Sequence, residues 1–236
     1  MAKLYFRHAV MNSGKSLALL QVNHNYVSEG RETVLFSHQI DKRFGEGVIA
    51  SRIAGASIQA PSISINDEVN LFEIVKAKVE AGQDIACVLC DEVQFYSSAQ
   101  IDELSEIVDV LNVPVICYGL KSTFKGELFE ASKRLVELAD EIESLDQVCW
   151  CGCKARMILK FNSETGEVIR EGGDVEVGAE SKYRSVCRKH WKLGQMFKPA
   201  QSVEETKKTT AHVSVPSVAK ETKLSFWKKL VSLFVK

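Results

Sequence analysis

The stretch Met11-Asn12-Ser13-Gly14-Lys15-Ser16 constrains this chain more than any other. A short apolar run, Leu4-Tyr5-Phe6, precedes it, and Leu17-Ala18-Leu19-Leu20 follows. Strand, tight loop and helix is the arrangement in which backbone N–H groups and a helix N-terminus converge on a phosphate. There Lys15 would neutralise β- and γ-phosphates and the Ser16 hydroxyl would hold Mg2+. The full pattern has Gly where this chain has Ala9, and a methyl group tolerates close backbone approach less well. A chance Gly-Lys-Ser at an ordinary helix start is the bland alternative. The flanking strand and helix weigh against it, but alone the motif implies only nucleotide binding.

Composition narrows the rest. With 236 residues and 45% hydrophobic content, the chain is expected to be globular, with one large domain or a medium one and a small satellite. A net charge of −1 argues against a nucleic-acid partner, which calls for a basic stripe. No apolar run is long enough to span a bilayer, and a core strand starting at Lys3 leaves no room for a signal peptide, so a cytoplasmic protein is expected. Of seven cysteines, Cys87, Cys90 and Cys117 lie in apolar strand-like runs and read as buried thiols. The other four cluster late in the chain, a metal-binding pattern rather than a disulfide framework.

Along the chain, Ser16 to Glu29 reads as a helix stopped by Gly30, and Thr33-Val34-Leu35-Phe36 as a buried strand. His38 to Ser64 has no sustained period, several glycines and the basic residues Lys42, Arg43 and Arg52. That predicts a long functional or mobile loop, with Arg52 read as plain surface charge. Asp67 to Gly82 has a helical stripe of Val69, Phe72, Val75 and Val79. Ile85-Ala86-Cys87-Val88-Leu89-Cys90 is an unbroken apolar run, the mark of a strand buried on both faces of a parallel sheet. It ends in Asp91-Glu92, at the strand end where α/β sheets bind ligands. Asp91 there can hold Mg2+, and Glu92, one residue on, points elsewhere and is free for proton work. A merely charged strand end is the ordinary alternative, weakened by the phosphate loop upstream. Ser98 to Leu111 is a second amphipathic helix, with Ile101, Leu104, Ile107, Val108 and Leu111. Val113 to Tyr118 is another strand, Gly119 to Phe124 a loop, and Glu127 to Ala139 a further helix. The β-α alternation predicts an α/β fold, a P-loop parallel sheet flanked by helices of the RecA-like kind.

A second unit starts near Cys149-Trp150-Cys151-Gly152-Cys153. Met157 to Phe161, a Glu164-Thr165-Gly166 turn and Glu167 to Arg170 read as a hairpin, and Cys187-Arg188-Lys189-His190 closes the unit. Thiolates and an imidazole flanking a hairpin suit tetrahedral Zn2+, which staples a segment too small for its own core. Idle or buried thiols are the alternative. From Pro199 onward the composition turns to Ser, Thr, Lys, Glu and Pro, a disordered linker by composition. At 100° per residue, Ser225, Lys228, Lys229, Ser232 and Lys236 share one face of a final segment whose other positions are apolar. This basic amphipathic helix is expected to dock on a protein surface or, as the sharper alternative, on an anionic membrane surface. The expected divisions are 1–146, a P-loop α/β domain; 147–198, a zinc-binding domain; 199–223, linker; and 224–236, helix.

Tyr5-Phe6, Met11 to Ser16, Asp91-Glu92-Val93-Gln94-Phe95, Cys117-Tyr118-Gly119-Leu120, the Cys-rich knot and Tyr183 to His190 together resemble the type II thymidine kinases of bacteria and phages, in register as far as about Trp191. In that family a small residue other than Gly often stands at the place of Ala9. The resemblance implies transfer of the ATP γ-phosphoryl group to the 5′-hydroxyl of thymidine, or deoxyuridine, in deoxynucleotide salvage. It implies Lys15 and Glu92 as catalytic residues, with Glu92 taking the hydroxyl proton. ATP and Mg2+ would be held by Ala9, Val10, Met11, Asn12, Ser13, Gly14, Lys15 and Ser16, by Asp41, Lys42 and Arg43, and by Asp91, Glu92, Val93 and Gln94. Met11, Leu120, Thr123, Phe124 and Phe129 would line the base pocket; by character alone Phe124 and Phe129 read equally as core. A lasso loop, Asp174-Val175-Glu176-Val177-Gly178, would give backbone hydrogen bonds to the base, with Tyr183 at its end. Where the family commonly has Gly-Gly before that Tyr, this chain has Gly178-Ala179-Glu180-Ser181-Lys182. One structural Zn2+ per chain carries over to Cys149, Cys151, Cys187 and His190. Cys153, where a basic residue is usual, is a spare thiol or an alternative ligand. Family members are typically homotetramers inhibited by the end-product triphosphate.

Two other readings compete. One is a zinc-ribbon P-loop ATPase acting on nucleic acid or a protein partner, against which the near-neutral charge stands. The other is a kinase of a different nucleoside, with the same phosphate machinery and a different pocket.

Overall fold

The computed structural model describes residues 1–51, 58–173 and 182–197. Arg52, the expected lasso Asp174 to Gly178, the linker 199–223 and the helix 224–236 lie outside the described residues.

The chain runs β1 (Leu4–Ala9), α1 (Lys15–Ser28), β2 (Glu32–His38), β3 (Val48–Ala50), β4 (Gln59–Pro61), β5 (Ile63–Ile65), α2 (Leu71–Glu80), β6 (Ile85–Cys90), α3 (Ser98–Leu111), β7 (Val115–Leu120), α4 (Glu130–Leu138) and β8 (Glu141–Ser144). Six of these strands form one sheet in the order β5-β2-β6-β7-β1-β8. Every pairing in it is parallel. The period-two alternation of strands divides the apolar residues between its faces. Leu4, Phe6, Val34 and Phe36 pack with Leu71, Val75, Ile101, Leu104, Ile107 and Leu135, so α2, α3 and α4 cover one face. Leu35, Leu89 and Tyr118 pack with Leu19, Leu20, Ile49 and Ala60, so α1 and the β3–β4 ribbon cover the other. The central strand β6 is buried at all six positions, as its unbroken apolar run requires.

A smaller sheet follows. β9 (Met157–Phe161) is flanked by β10 (Val168–Ile169) and β11 (Tyr183–Val186), both antiparallel to it, and α5 (Arg188–Leu193) comes last. The predicted hairpin thus gains a third strand from the segment leading into Cys187.

Several sequence expectations are corrected. The long loop from His38 to Ser64 carries the antiparallel β3–β4 ribbon and the edge strand β5; strands of three residues are too short to show a period. α2 starts at Leu71 rather than at Asp67; its fully buried positions are Leu71 and Val75, while Phe72 and Val79, with Val69 ahead of the helix, pack at the margin. The expected loop from Gly119 begins later, because β7 continues through Leu120. α4 starts at Glu130, with Phe129 at its N-cap rather than inside the helix. β8 was not legible because its glutamates face solvent at the sheet edge, paired with Lys3 and Arg7.

Candidate active site and metal cluster

The sheet brings the candidate residues together at the carboxyl ends of β1, β2, β6 and β7. The loop after β1 turns through Asn12 (φ 62°) and Gly14 (φ 82°) into α1. Glycine suits the second of these left-handed positions at no steric cost. Within the loop, Val10 O accepts from both Ser13 Oγ (2.9 Å) and Lys15 Nζ (3.2 Å), and Lys15 is buried. The departure at Ala9 is accommodated: it is the last residue of β1, in register with Leu120.

Ser16 Oγ donates to Asp91 Oδ2 at 2.8 Å, so the first turn of α1 meets the end of β6. This contact joins the two motifs that the sequence singled out as candidates for a metal–phosphate group. Asp91 is buried, and burial together with the neighbouring Glu92 charge pushes its carboxyl up to about 7, against Ser16 and Lys15. Glu92 takes the left-handed conformation (φ 50°) and lines the same cleft as Ser16. Burial also opposes its charge, but Lys15, Arg43 and Gln94 overcome that and hold Glu92 below the usual carboxylate range.

Glu92 is therefore not free, contrary to the sequence reading. Arg43 donates to Asp41 through Nε (2.7 Å) and one terminal nitrogen (2.6 Å), and the latter also reaches Glu92 Oε1 at 2.7 Å. Gln94 Nε2 donates to Glu92 Oε2 at 2.6 Å while Gln94 Oε1 accepts from Leu120 N at 2.9 Å. Gln94 thus ties Glu92 to the end of β7. Gly119 makes room for this: a Cβ there would stand 2.7 Å from Val93 Cγ2 and 2.8 Å from Gln94 Oε1. Of the Asp41-Lys42-Arg43 triplet, Lys42 is exposed and the other two enter the site. Val93 is wholly buried in the core. A cleft of about 90 Å3 lies over Asn12 to Leu17, walled by Arg43, Phe44 and Glu92.

Met11, Leu120, Phe124 and Tyr183 meet in the apolar cluster of the small sheet, with Val10, Ile158 and Trp191. The Phe124 and Tyr183 rings lie 6.4 Å apart. Thr123 is buried in the turn before them, its N–H donating to Glu127 O at 2.8 Å. Phe129 is half-buried at the N-cap of α4 and outside this cluster. Sequence reasoning missed Lys160, which is buried with its ammonium 5.0 Å from the Phe124 ring centre and 5.9 Å from that of Tyr183. A lysine inside the apolar strand Met157–Phe161 was the available signal.

Cys149, Cys151, Cys187 and His190 bring their ligand atoms within 4.8 Å of one another. A tetrahedral zinc with its ordinary bond lengths sets S···S edges of about 3.8 Å and S···N edges of about 3.5 Å. Here Cys151 and Cys187 Sγ are 3.9 Å apart, and His190 Nδ1 is 3.4 Å from Cys149 Sγ and 3.3 Å from Cys187 Sγ. The donor set therefore fits zinc. The first cluster is a tight turn, with Cys149 N donating to Cys153 O and Gly152 N to Cys149 O; Cys153 is exposed and outside the set. Trp150 stacks on His190 at 4.0 Å. From this unit Ser185 Oγ donates to Met11 O (2.8 Å), Gln147 Nε2 to Asn12 O (2.7 Å) and Trp191 Nε1 to Phe124 O (3.0 Å). The small unit thus braces both the loop after β1 and the Thr123-Phe124 turn.

Comparison with known proteins gives the family. A family model described as thymidine kinase matches residues 2–191. A thymidine kinase of Mannheimia succiniciproducens is 45% identical over 192 residues, 81% of this chain and 96% of that one. That of Haemophilus influenzae strain Rd is 44% identical, covering 81% and 97%, and that of Escherichia coli K12 is 42% identical over 205 residues, covering 87% and 98%. A Pif1 helicase from Candida albicans has a TM-score of 0.35 at 13% identity, covering 62% of this chain and 36% of its own, too slight a likeness to bear on the reading.

Proposed function

The chain belongs to the thymidine kinase family, and from that premise we infer that it transfers the ATP γ-phosphoryl group to thymidine. The observation that carries the reading is the 2.8 Å contact between Ser16 and Asp91 with Glu92 beside it. Phosphoryl transfer needs positioning, charge neutralisation and an acceptor for the hydroxyl proton. Lys15 supplies positive charge at the phosphates. Ser16 and Asp91 are the residues that would hold Mg2+, which would neutralise the phosphate oxygens. Glu92 accepts the proton of the 5′-hydroxyl. Arg43 is shared between Asp41 and Glu92, so an incoming phosphate competes for its guanidinium and releases Glu92 Oε1.

On the nucleoside side, Met11, Leu120, Phe124 and Tyr183 form an apolar wall for the base, and the segment 174–178 completes the pocket. Zinc at Cys149, Cys151, Cys187 and His190 serves as a structural staple. The proposed working assembly is a homotetramer, with a kinase domain at 1–146 and a zinc-binding domain at 147–198. The segment 224–236 would dock on a protein or anionic membrane surface. The family match ends at residue 191, so truncation from Pro199 onward should spare catalysis. A substrate panel tests the reading: thymidine, deoxyuridine, deoxycytidine and deoxyguanosine, each with ATP and Mg2+. Thymidine should be phosphorylated fastest, with deoxyuridine second. Turnover of ATP without any nucleoside, or preference for deoxycytidine or deoxyguanosine, would overturn it.

A further inference from the structure

A second cavity lies apart from the cleft over Lys15. It holds about 330 Å3 between the ends of β1 and β8, the start of the Lys121 loop and β9 of the small sheet. It shares no lining residue with the Lys15 cleft. Nor does it include any residue assigned above to the thymidine pocket.

Its lining is one-sided in charge. His8, Lys121 and Arg156 converge on it with the hydroxyls of Ser122 and Ser144, while Val10, Leu145 and Ile158 are among its apolar walls, and no lining residue is acidic. The Arg156 guanidinium donates to Ser144 Oγ at 2.5 Å. Among the described residues its ion-pair partner is Asp146, which stands 3.7 Å off and is held by Lys154 at 2.6 Å. Glu143, on the same strand as Ser144, is taken by Arg7. Burial, reinforced by Lys121 and Arg156, pulls the His8 imidazole down to about 4. Two cations focused on one semi-enclosed, partly apolar space create a positive potential that an anion relieves.

We propose that this cavity is a second anion site, for a small phosphate monoester with a compact apolar body. Two fixed cations match a phosphate dianion, and Arg156 offers the planar fork that such a group accepts. The volume lies at the small end for organic ligands, enough for one ring and its phosphate. The site rests on the lining residues alone and stands whether or not the thymidine reading holds. Its walls also reach the proposed active site. Val10 O is the acceptor for Ser13 and Lys15, and Lys121-Ser122 leads directly into Thr123-Phe124. An occupant therefore touches both the phosphate loop and the nucleoside turn, a placement suited to an effector.

Phenyl phosphate is the probe. The full chain, with the Lys15 cleft filled by a non-hydrolysable ATP analogue and Mg2+, is titrated calorimetrically at low salt. One phenyl phosphate should bind per chain. The double variant Lys121→Met, Arg156→Met should bind it at least about tenfold more weakly, since each lost hydrogen bond to a charged group removes a substantial part of the affinity. The charge-preserving pair Lys121→Arg, Arg156→Lys should retain binding, which separates loss of charge from loss of fold. Thymidine phosphorylation without phenyl phosphate should stay within about twofold in both, because neither side chain belongs to the reacting set. No binding heat with the native chain, or equal affinity in the Met pair, would overturn the proposal.

Discussion

The two sheets position functional groups by different means. In the large sheet the site inherits its geometry from burial. β6 is buried at every position and delivers Asp91, and β1, in register with β7, sets the phosphate loop beside Leu120. In the small sheet only a few apolar residues are buried, and two of them, Cys149 and Cys187, are also members of the metal set. A core of that size needs a staple. On the proposed reading, the difference teaches that the chemistry rests on the large sheet's hydrophobic packing, whereas the grip on the nucleoside would rest on a frame that the candidate metal cluster holds. Each region should therefore fail in its own way.

The sharpest break on the large-sheet side is Glu92→Gln. Loss of a general base typically lowers turnover by ~10²–10⁴-fold. Single-turnover measurement should find that loss with ATP binding largely kept, because Lys15 and Ser16 are untouched; near-native turnover would remove Glu92 from the role of proton acceptor. Next comes Gly119→Ala. Its methyl group would press on Val93 and Gln94 and displace the amide that orients Glu92. Overpacking of this kind costs about 1–3 kcal/mol, and kcat should fall with it while the zinc content stays unchanged.

Asp91→Asn sharpens the comparison through pH. The folded carboxyl titrates above its unfolded value, so the native state binds the extra proton between about pH 4 and 7. The stability that Asp91 contributes is present in acid and lost as the pH rises through that window. The variant should abolish Mg2+-dependent turnover yet unfold at higher denaturant at pH 7, by about 1–2 kcal/mol, with a flatter profile between pH 4 and 7. Chemical denaturation across that range checks it; a variant less stable than the native chain at pH 7 would show that Asp91 is not strained by burial. The smallest effect is expected on the other sheet: Cys153→Ser should keep one zinc per chain by metal analysis, since Cys153 lies exposed outside the donor set.

Much of this was legible in the sequence where residue type and strand pattern coincide. The apolar run before Asp91 marked a buried strand, and its parallel neighbours put Asp91 beside Ser16. The candidate metal cluster could be read in outline because Cys and His carry their chemistry in their identity; which of the three clustered cysteines join it came from the family resemblance, and Cys149, Cys151, Cys187 and His190 do lie together. What was hidden depends on side-chain reach. Nothing local to Arg43 announces that it spans Asp41 and Glu92, and nothing in Gln94 shows that it bridges Glu92 to Leu120. The edge strand β8 was hidden by its solvent-facing glutamates, and β3, β4 and β5 by their three-residue length. Phe124 could be assigned to pocket or core on sequence alone; it is buried beside Tyr183, and Phe129 is not in that cluster.

The division of labour between the two sheets is tested most directly by Cys187→Ser, with dissociation constants for ATP and thymidine measured side by side. Losing one of four ligands should release the zinc, and the braces from Ser185 to Met11 and from Trp191 to Phe124 should slacken. Mutating even the outer-shell partners of metal ligands typically costs about 10–100-fold in metal affinity or activity. The account predicts a loss of about that size in thymidine affinity, with ATP affinity within about threefold of the native chain. Equal weakening of both ligands, or zinc retained with thymidine binding intact, would contradict it.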